Sequence, residues 1–272
     1  MFPAPFVSLM TVDPTIGGRD ISLGGKYNNY GIHGTGLATA ADSLAAVKKY
    51  IFDEKSVSKE TMLQALRDNF AGHETLRNKL RYETPKMGRN EDFVDQIGVD
   101  LLDAFADSLK GRTNDRGGVY RAGTGSAMYY IWHARDVQAS ADGRLKGEPL
   151  SANWAPALDV PVKGPVSVVR SFTEPDLGLV CNGGPLTIEM HDSAFLMPDG
   201  VEKVAQLVKF FIGRGGHQMQ INTINRETLK DAQKHPERHR HLIVRVWGWS
   251  GYFVELDKEY QDQIIKRVEL KG

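Results

Sequence analysis

The hydrophobic period of this chain changes once, near Gly111, and that change limits the possible folds more than any other feature. Before it, apolar residues recur at helical spacing. Leu37, Ala41, Leu44, Ala45 and Ile51 share one stripe, with Val47 slightly off it, and predict a helix over 37–53. Ser58 can cap a second helix, whose stripe is Met62, Leu63, Leu66 and Phe70. A third is expected over 74–80. A fourth, over about 91–110, carries Phe93, Val94, Ile97, Leu101, Leu102, Phe105 and Leu109, and Gly111 ends it.

Beyond Gly111, short runs with strand character alternate with helical ones. Residues 120–134, through Met128-Tyr129-Tyr130-Ile131-Trp132, suit a buried strand. Residues 186–190, 218–222 and 242–247 also read as strands. Between and after them, helices are expected over 166–172, 201–212, 226–233 and 258–268, the second ending at Gly213 and the third capped by Asn225. The stretch 139–165 is punctuated by Gly and Pro and reads as a long ordered loop. So does 13–36, where Gly and Asn permit tight turns. Strands separated by helices indicate an α/β architecture.

Charge excludes some functions. Lys+Arg and Asp+Glu both number 34, and neither a nucleic acid nor an acidic membrane surface finds a basic surplus. A single cysteine, Cys181, can form no internal disulfide, which fits a reducing, cytoplasmic setting. No run of about 18 apolar residues marks a membrane span. The start has neither the basic nor the apolar region of a signal peptide. Phe2, Phe6, Val7, Leu9 and Met10 read instead as an extended or helical core segment that begins abruptly, as if more chain belonged upstream.

The segment richest in chemistry is Arg245-Val246-Trp247-Gly248-Trp249-Ser250-Gly251-Tyr252-Phe253. A bare glycine at the end of an apolar strand has two readings. One is a turn or bulge where only glycine fits. The other rests on resemblance. Arg-Val-x-Gly-aromatic, then Phe253 and Gln261-Asp262-Gln263-Ile264-Ile265-Lys266-Arg267, resembles the signature of the glycyl radical enzymes of the pyruvate formate-lyase type. Further segments are similar to that family in order. They are Ala41 to Lys49, Pro85-Lys86-Met87-Gly88-Arg89-Asn90, the Asp142-Gly143-Arg144 loop, Gly215 to Asn222 and Thr228 to Glu237.

The resemblance implies the C-terminal part of a ten-stranded glycyl radical enzyme barrel, an incomplete half-barrel with surrounding helices. Residues 1–135 would belong to the barrel and 136–272 to the glycine radical domain. Gly248 would store the radical, walled from water by Trp247, Trp249, Tyr252 and Phe253. An activating enzyme with an iron–sulfur cluster and S-adenosylmethionine would install it, and no bound cofactor or metal is implied for this part. The radical would then pass to a cysteine and on to a small-molecule substrate, in a radical C–C or C–X cleavage. The family's subdivisions include formate acetyltransferases, dehydratases and lyases. Trp at both 247 and 249 departs from the commoner form of the motif and leaves the subdivision open.

Cys181 does not stand in the family's Cys-x-Glu setting and is read as a half-buried structural thiol. The thiyl cysteine is therefore expected from the remainder of the enzyme or a complementary chain. A homodimer is compatible with the complete enzyme. Two readings stay open: a part inactive alone, or a non-catalytic partner that restores an oxygen-damaged enzyme.

Other candidates are read as structural. His235, His239 and His241 stand in a polar stretch and are taken as a solvated loop. His73-Glu74 lacks a second histidine four residues on, because Arg77 is there. Gly213, Gly215 and Gly216 follow a helix and should end it. Arg144 is expected in a salt bridge.

Overall fold

The computed structural model describes residues 2–270 except 159, 191–194, 196, 224, 247, 248 and 268. It begins with two short helices, α1 (Pro5–Leu9) and α2 (Val12–Gly17). Asp20 ties down α1 by polar bonds, its carboxylate accepting from the Ala4 amide at 2.9 Å and the Ser8 hydroxyl at 3.0 Å. The segment is helical as expected and held by polar bonds, and Phe2, Phe6, Leu9 and Met10 are exposed in this chain, their apolar side chains outward. The predicted loop 13–36 also contains strand β1 (Tyr30–His33).

The helical region follows its pattern closely. Helix α3 (Leu37–Val47) widens into a π turn, Lys48–Asp53. Helix α4 (Lys59–Arg67) is capped by the Ser58 side chain, which accepts from the Thr61 amide. Phe70 lies beyond its end, and Leu63 is exposed. Helix α5 (Glu74–Asn78) runs into a second π turn, Lys79–Glu83, and α6 (Asp92–Leu109) packs along α3. Gly98 on α6 makes room for the buried Trp154 indole, since a Cβ there would come within 2.4 Å of it.

Residues 128–132 are corrected from strand to helix. They form α7 (Tyr129–Trp132), continued by a 3-10 turn, His133–Arg135. A short apolar run has no period to separate the two states. The strand of this region is β2 (Tyr120–Gly123), parallel to β1 with Gly31 opposite Arg121. Helix α8 (Pro165–Phe172) then leads to β3 (Leu186–Met190), α9 (Gly200–Gly213) and β4 (Met219–Asn222). Gly215 adopts φ +81° and its amide bonds the Ile212 carbonyl at 3.0 Å, closing α9 as expected. Helix α10 (Arg226–Lys234), the strands β5 (Ile243–Arg245) and β6 (Ser250–Tyr252), helix α11 (Lys258–Lys266) and β7 (Glu269–Leu270) complete the chain.

The sheets are small. β3 sits between β4 and β7, all parallel, and β5 and β6 form an antiparallel pair. Parallel strands joined through helices bear out the α/β reading, and among the described residues the strands do not close a barrel. The main core joins α3, α6, Trp154, α8, β3 and α9, while Leu229, Ala232, Val244, Val246, Phe253, Ile264 and Ile265 form a separate one. Among the described residues no helix is long and apolar enough to cross a membrane.

Candidate functional site: the C-terminal hairpin

Strands β5 and β6 pair with Ile243 opposite Tyr252, Val244 opposite Gly251 and Arg245 opposite Ser250. The Val246 amide donates to the Trp249 carbonyl at 2.8 Å. The two residues between them in sequence, Trp247 and Gly248, lie outside the described residues. The alternation of the strand decides what faces inward. Val244 and Val246 are buried against α10 and α11, and Phe253 is fully buried beside them.

Polar bonds fix this base from three sides. Gln261 on α11 donates through Nε2 to the carbonyls of Phe253 and Leu256, each at 3.0 Å. Gln233 on α10 bonds Asp262 on α11 at 2.7 Å. That bond, ahead of Lys258, holds the Asp262 carboxyl below its ordinary pKa and favours its charged form. Arg267, just past α11, donates through Nη1 to the Arg245 carbonyl at 3.0 Å and to Glu189 Oε1 at 2.9 Å. Asn222 Nδ2 donates to the same Glu189 oxygen at 2.7 Å.

The expected apolar wall is only partly present. Phe253 lies inside, but Trp249 and Tyr252 are 44 % and 42 % exposed. They sit on the outer face of the hairpin, where the Trp249 indole lies over Gly251. A Cβ at Gly251 would come within 2.7 Å of that ring. This part of the expectation is corrected for the chain by itself: the hairpin turns an aromatic face outward.

Cys181 is not brought to the hairpin. It is exposed, not half-buried, because Val180 takes the inward position of the turn before β3. It lines a surface pocket with Leu109, Tyr120 and Ala122. His239 bonds Asp231 at 2.7 Å, His235 lies 3.8 Å from Glu237, and His241 is exposed. His73 lies 3.9 Å from Asp68. Among the described residues no group of acidic, histidine or cysteine side chains could hold a metal. Arg144 is structural, but its partners differ from expectation. Carbonyls surround its guanidinium, Leu145 at 2.9 Å and Glu148 at 2.8 Å among them, and the ion pair of the loop is Arg81 with Asp142 at 3.3 Å.

Glu189, Asn222 and Arg267 carry polar contacts of the site that the sequence reading did not assign. Glu189 and Arg267 are 78 residues apart, and no local spacing links them. The signals were an acidic residue within an alternating strand and the place of Asn222 and Arg267 at the ends of segments similar to the family.

Comparison with known proteins now bears on this geometry. The family described as "Pyruvate formate lyase-like" matches residues 1–133, and that described as "Glycine radical" matches residues 151–254. The chain belongs to the glycyl radical enzyme family, corresponding to its C-terminal portion. It is 34% identical to the (2S)-3-sulfopropanediol dehydratase of Klebsiella oxytoca, over 98% of this chain and 33% of the relative. It is also 34% identical to the trans-4-hydroxy-L-proline dehydratase of Clostridioides difficile, over 98% of this chain and 34% of the relative. Its fold superposes on the B12-independent glycerol dehydratase from Clostridium butyricum with a TM-score of 0.93 and 32% identity, over 99% of this chain and 34% of that one. The chain thus spans about a third of the length of these glycyl radical relatives. The fold of the chain corresponds to part of the glycyl radical enzyme barrel fold.

Proposed function

We propose that this chain is the radical-storing part of a glycyl radical enzyme and that Gly248 holds the unpaired electron. One observation carries the reading: Arg245-Val246-Trp247-Gly248-Trp249 falls inside the span matched by the glycine radical family. A radical on an α-carbon is stabilised by delocalisation into the adjoining amide nitrogen and carbonyl. That requires a nearly planar α-carbon, which a side chain would crowd and glycine permits. The base on either side of the glycine supports the reading, because Val246, Phe253 and the Arg267 and Gln261 bonds fix the flanking strands. In this reading residues 1–135 belong to the barrel and 136–272 to the radical domain.

The proposed reaction class is radical elimination from a small hydroxylated molecule, since the relatives named above are dehydratases. An activating enzyme removes one hydrogen atom from Gly248. The glycyl radical regains a hydrogen from a cysteine thiol supplied by the remainder of the enzyme, so a C–H bond forms and an S–H bond breaks. The sulfur radical takes hydrogen from a substrate carbon, the substrate radical expels its leaving group, and hydrogen returns from sulfur to the product radical. Cys181 is given no part, since it lines a pocket with α6 and β2 residues.

The test is spectroscopic. Anaerobic activation of the chain with S-adenosylmethionine and the activating enzyme should give the doublet of a glycine radical, absent in Gly248→Ala. Air should then cut the spin-bearing chain at position 248. A doublet that survives in Gly248→Ala, or an uncut chain after air, overturns the assignment.

A further inference from the structure

The C-terminal part packs as a unit of its own. The buried residues of its core all lie between Leu229 and Ile265. Its contacts with the rest of the chain include the pairing of β7 with β3, the packing of Met128 and Tyr260, and polar bonds. Trp132 Nε1 donates to the Tyr260 hydroxyl at 2.8 Å, and Arg135 pairs with Glu259 at 2.5 Å. Between α11 and β3 lies a cavity of about 50 Å³, lined by Thr187, Glu189, Gln263 and Arg267 among others. Thr187 Oγ1 and Gln263 Nε2 are buried there without a hydrogen-bond partner among the described residues. A seam that holds a cavity and unpartnered polar atoms separates at lower cost than the packed bodies on either side.

We infer that Glu189 and Arg267 form the latch of this seam and so set the freedom of the hairpin. Their side chains are only 14% and 6% exposed, the most buried ion pair across the seam. Arg267 holds two elements with one nitrogen: Glu189 on β3 and the Arg245 carbonyl at the end of β5. Asn222 on β4 fixes the carboxylate from behind. Losing the bond across the seam therefore also loosens the strand that leads to residue 248. Both are positioning residues, and the consequence for the radical rests on the reading of Gly248 above.

Glu189→Gln is the probe, because it keeps the shape and removes the charge. In hydrogen exchange on the full chain, amides of 243–252 should exchange at least about tenfold faster in this variant, with α6 unchanged. Asn222→Ala should give a smaller change of the same pattern. In the activation assay the doublet should grow faster in Glu189→Gln, and air should cut the chain sooner. Unchanged exchange in the hairpin, or an equal rise in α6, overturns the latch. A doublet missing from the unsubstituted chain overturns the reading of Gly248 and leaves exchange to decide the latch.

Discussion

The loop around Asp142 and the seam around Glu189 use the same chemistry, carboxylate and guanidinium, for opposite ends. In the loop, Asp142 and Arg144 are closed in. Arg144 is 1% exposed and gives its protons to the Ser140 hydroxyl and to four carbonyls, those of Val137, Gln138, Leu145 and Glu148. Asp142 accepts from Ser140 and Arg81, and its own carbonyl accepts from the buried Lys86 at 3.0 Å. Gly143 lets the backbone press against α5 and the turn after it, since a Cβ would come within 2.9 Å of the Arg77 carbonyl and the Arg81 amide. A segment without regular secondary structure is thereby fixed as firmly as a helix. At the seam a cavity lies beside the buried pair. Buried charge immobilises a segment that encloses it with matched groups, whereas a joint beside a cavity with unpartnered Thr187 and Gln263 atoms separates at lower cost.

The largest expected effect comes from emptying the loop. Arg144→Ala leaves buried carbonyls without donors, and removing one member of a buried polar network costs about 3–5 kcal/mol. The midpoint of urea unfolding should fall accordingly, and protease should cut first within 137–150. A loss below 1 kcal/mol would mean that the loop is no firmer than the seam, and the contrast would collapse.

A second, intermediate effect is one of pH. Burial raises Asp42 from its ordinary value of 3.8 to about 7, against the opposing charge of Lys86, and raises Asp95 to about 6. The folded chain thus holds these protons more tightly than the unfolded chain. The stability they contribute is complete below about pH 4 and declines as pH rises, to about 6 for Asp95 and about 7 for Asp42. From pH 5 to 8, Asp42 alone should cost about 1–3 kcal/mol. Asp42→Asn should keep the bond from the Met87 amide, 2.8 Å in the parent, and remove that slope. A remaining slope between pH 5 and 6 should vanish when Asp95→Asn is added. A parent chain whose urea midpoint does not fall over this range breaks the prediction.

These two regions differ in how far the sequence reveals them. The Asp142-Gly143-Arg144 loop and the run around Gly248 are contiguous, so their residues announce them before any fold is known. Helices were equally plain where the signal is local: Ser58 and Asn225 each bond an amide two or three residues ahead, as a cap must. Strand β1 was hidden because Gly31 and its neighbours look like turn residues, and its partner β2 begins 90 positions later, at Tyr120. The exposed position of Cys181 depends on which of two adjacent residues a turn points inward. Glu189 and Arg267 meet only after α9, β4, α10, β5, β6 and α11, which lie between them in sequence, have been packed, so their pairing is a product of topology and not of local pattern.

The smallest effect concerns the seam's rim. Arg135 and Glu259 stand 2.5 Å apart, but their side chains are 61% and 46% exposed. Water screens such a pair, and ordering two long side chains offsets much of its attraction. Arg135→Ala should change global stability by no more than about 0.5 kcal/mol, and that little should disappear in 0.5 M salt, where the screening length drops to about 4 Å. Hydrogen exchange in the hairpin should stay as in the parent, in contrast to Glu189→Gln. If Arg135→Ala instead frees the hairpin as much as the buried pair does, the seam is held along its whole length by summed surface contacts. The special place given to Glu189 and Arg267 would then be lost, because depth of burial is what distinguishes their pair from the one at the rim.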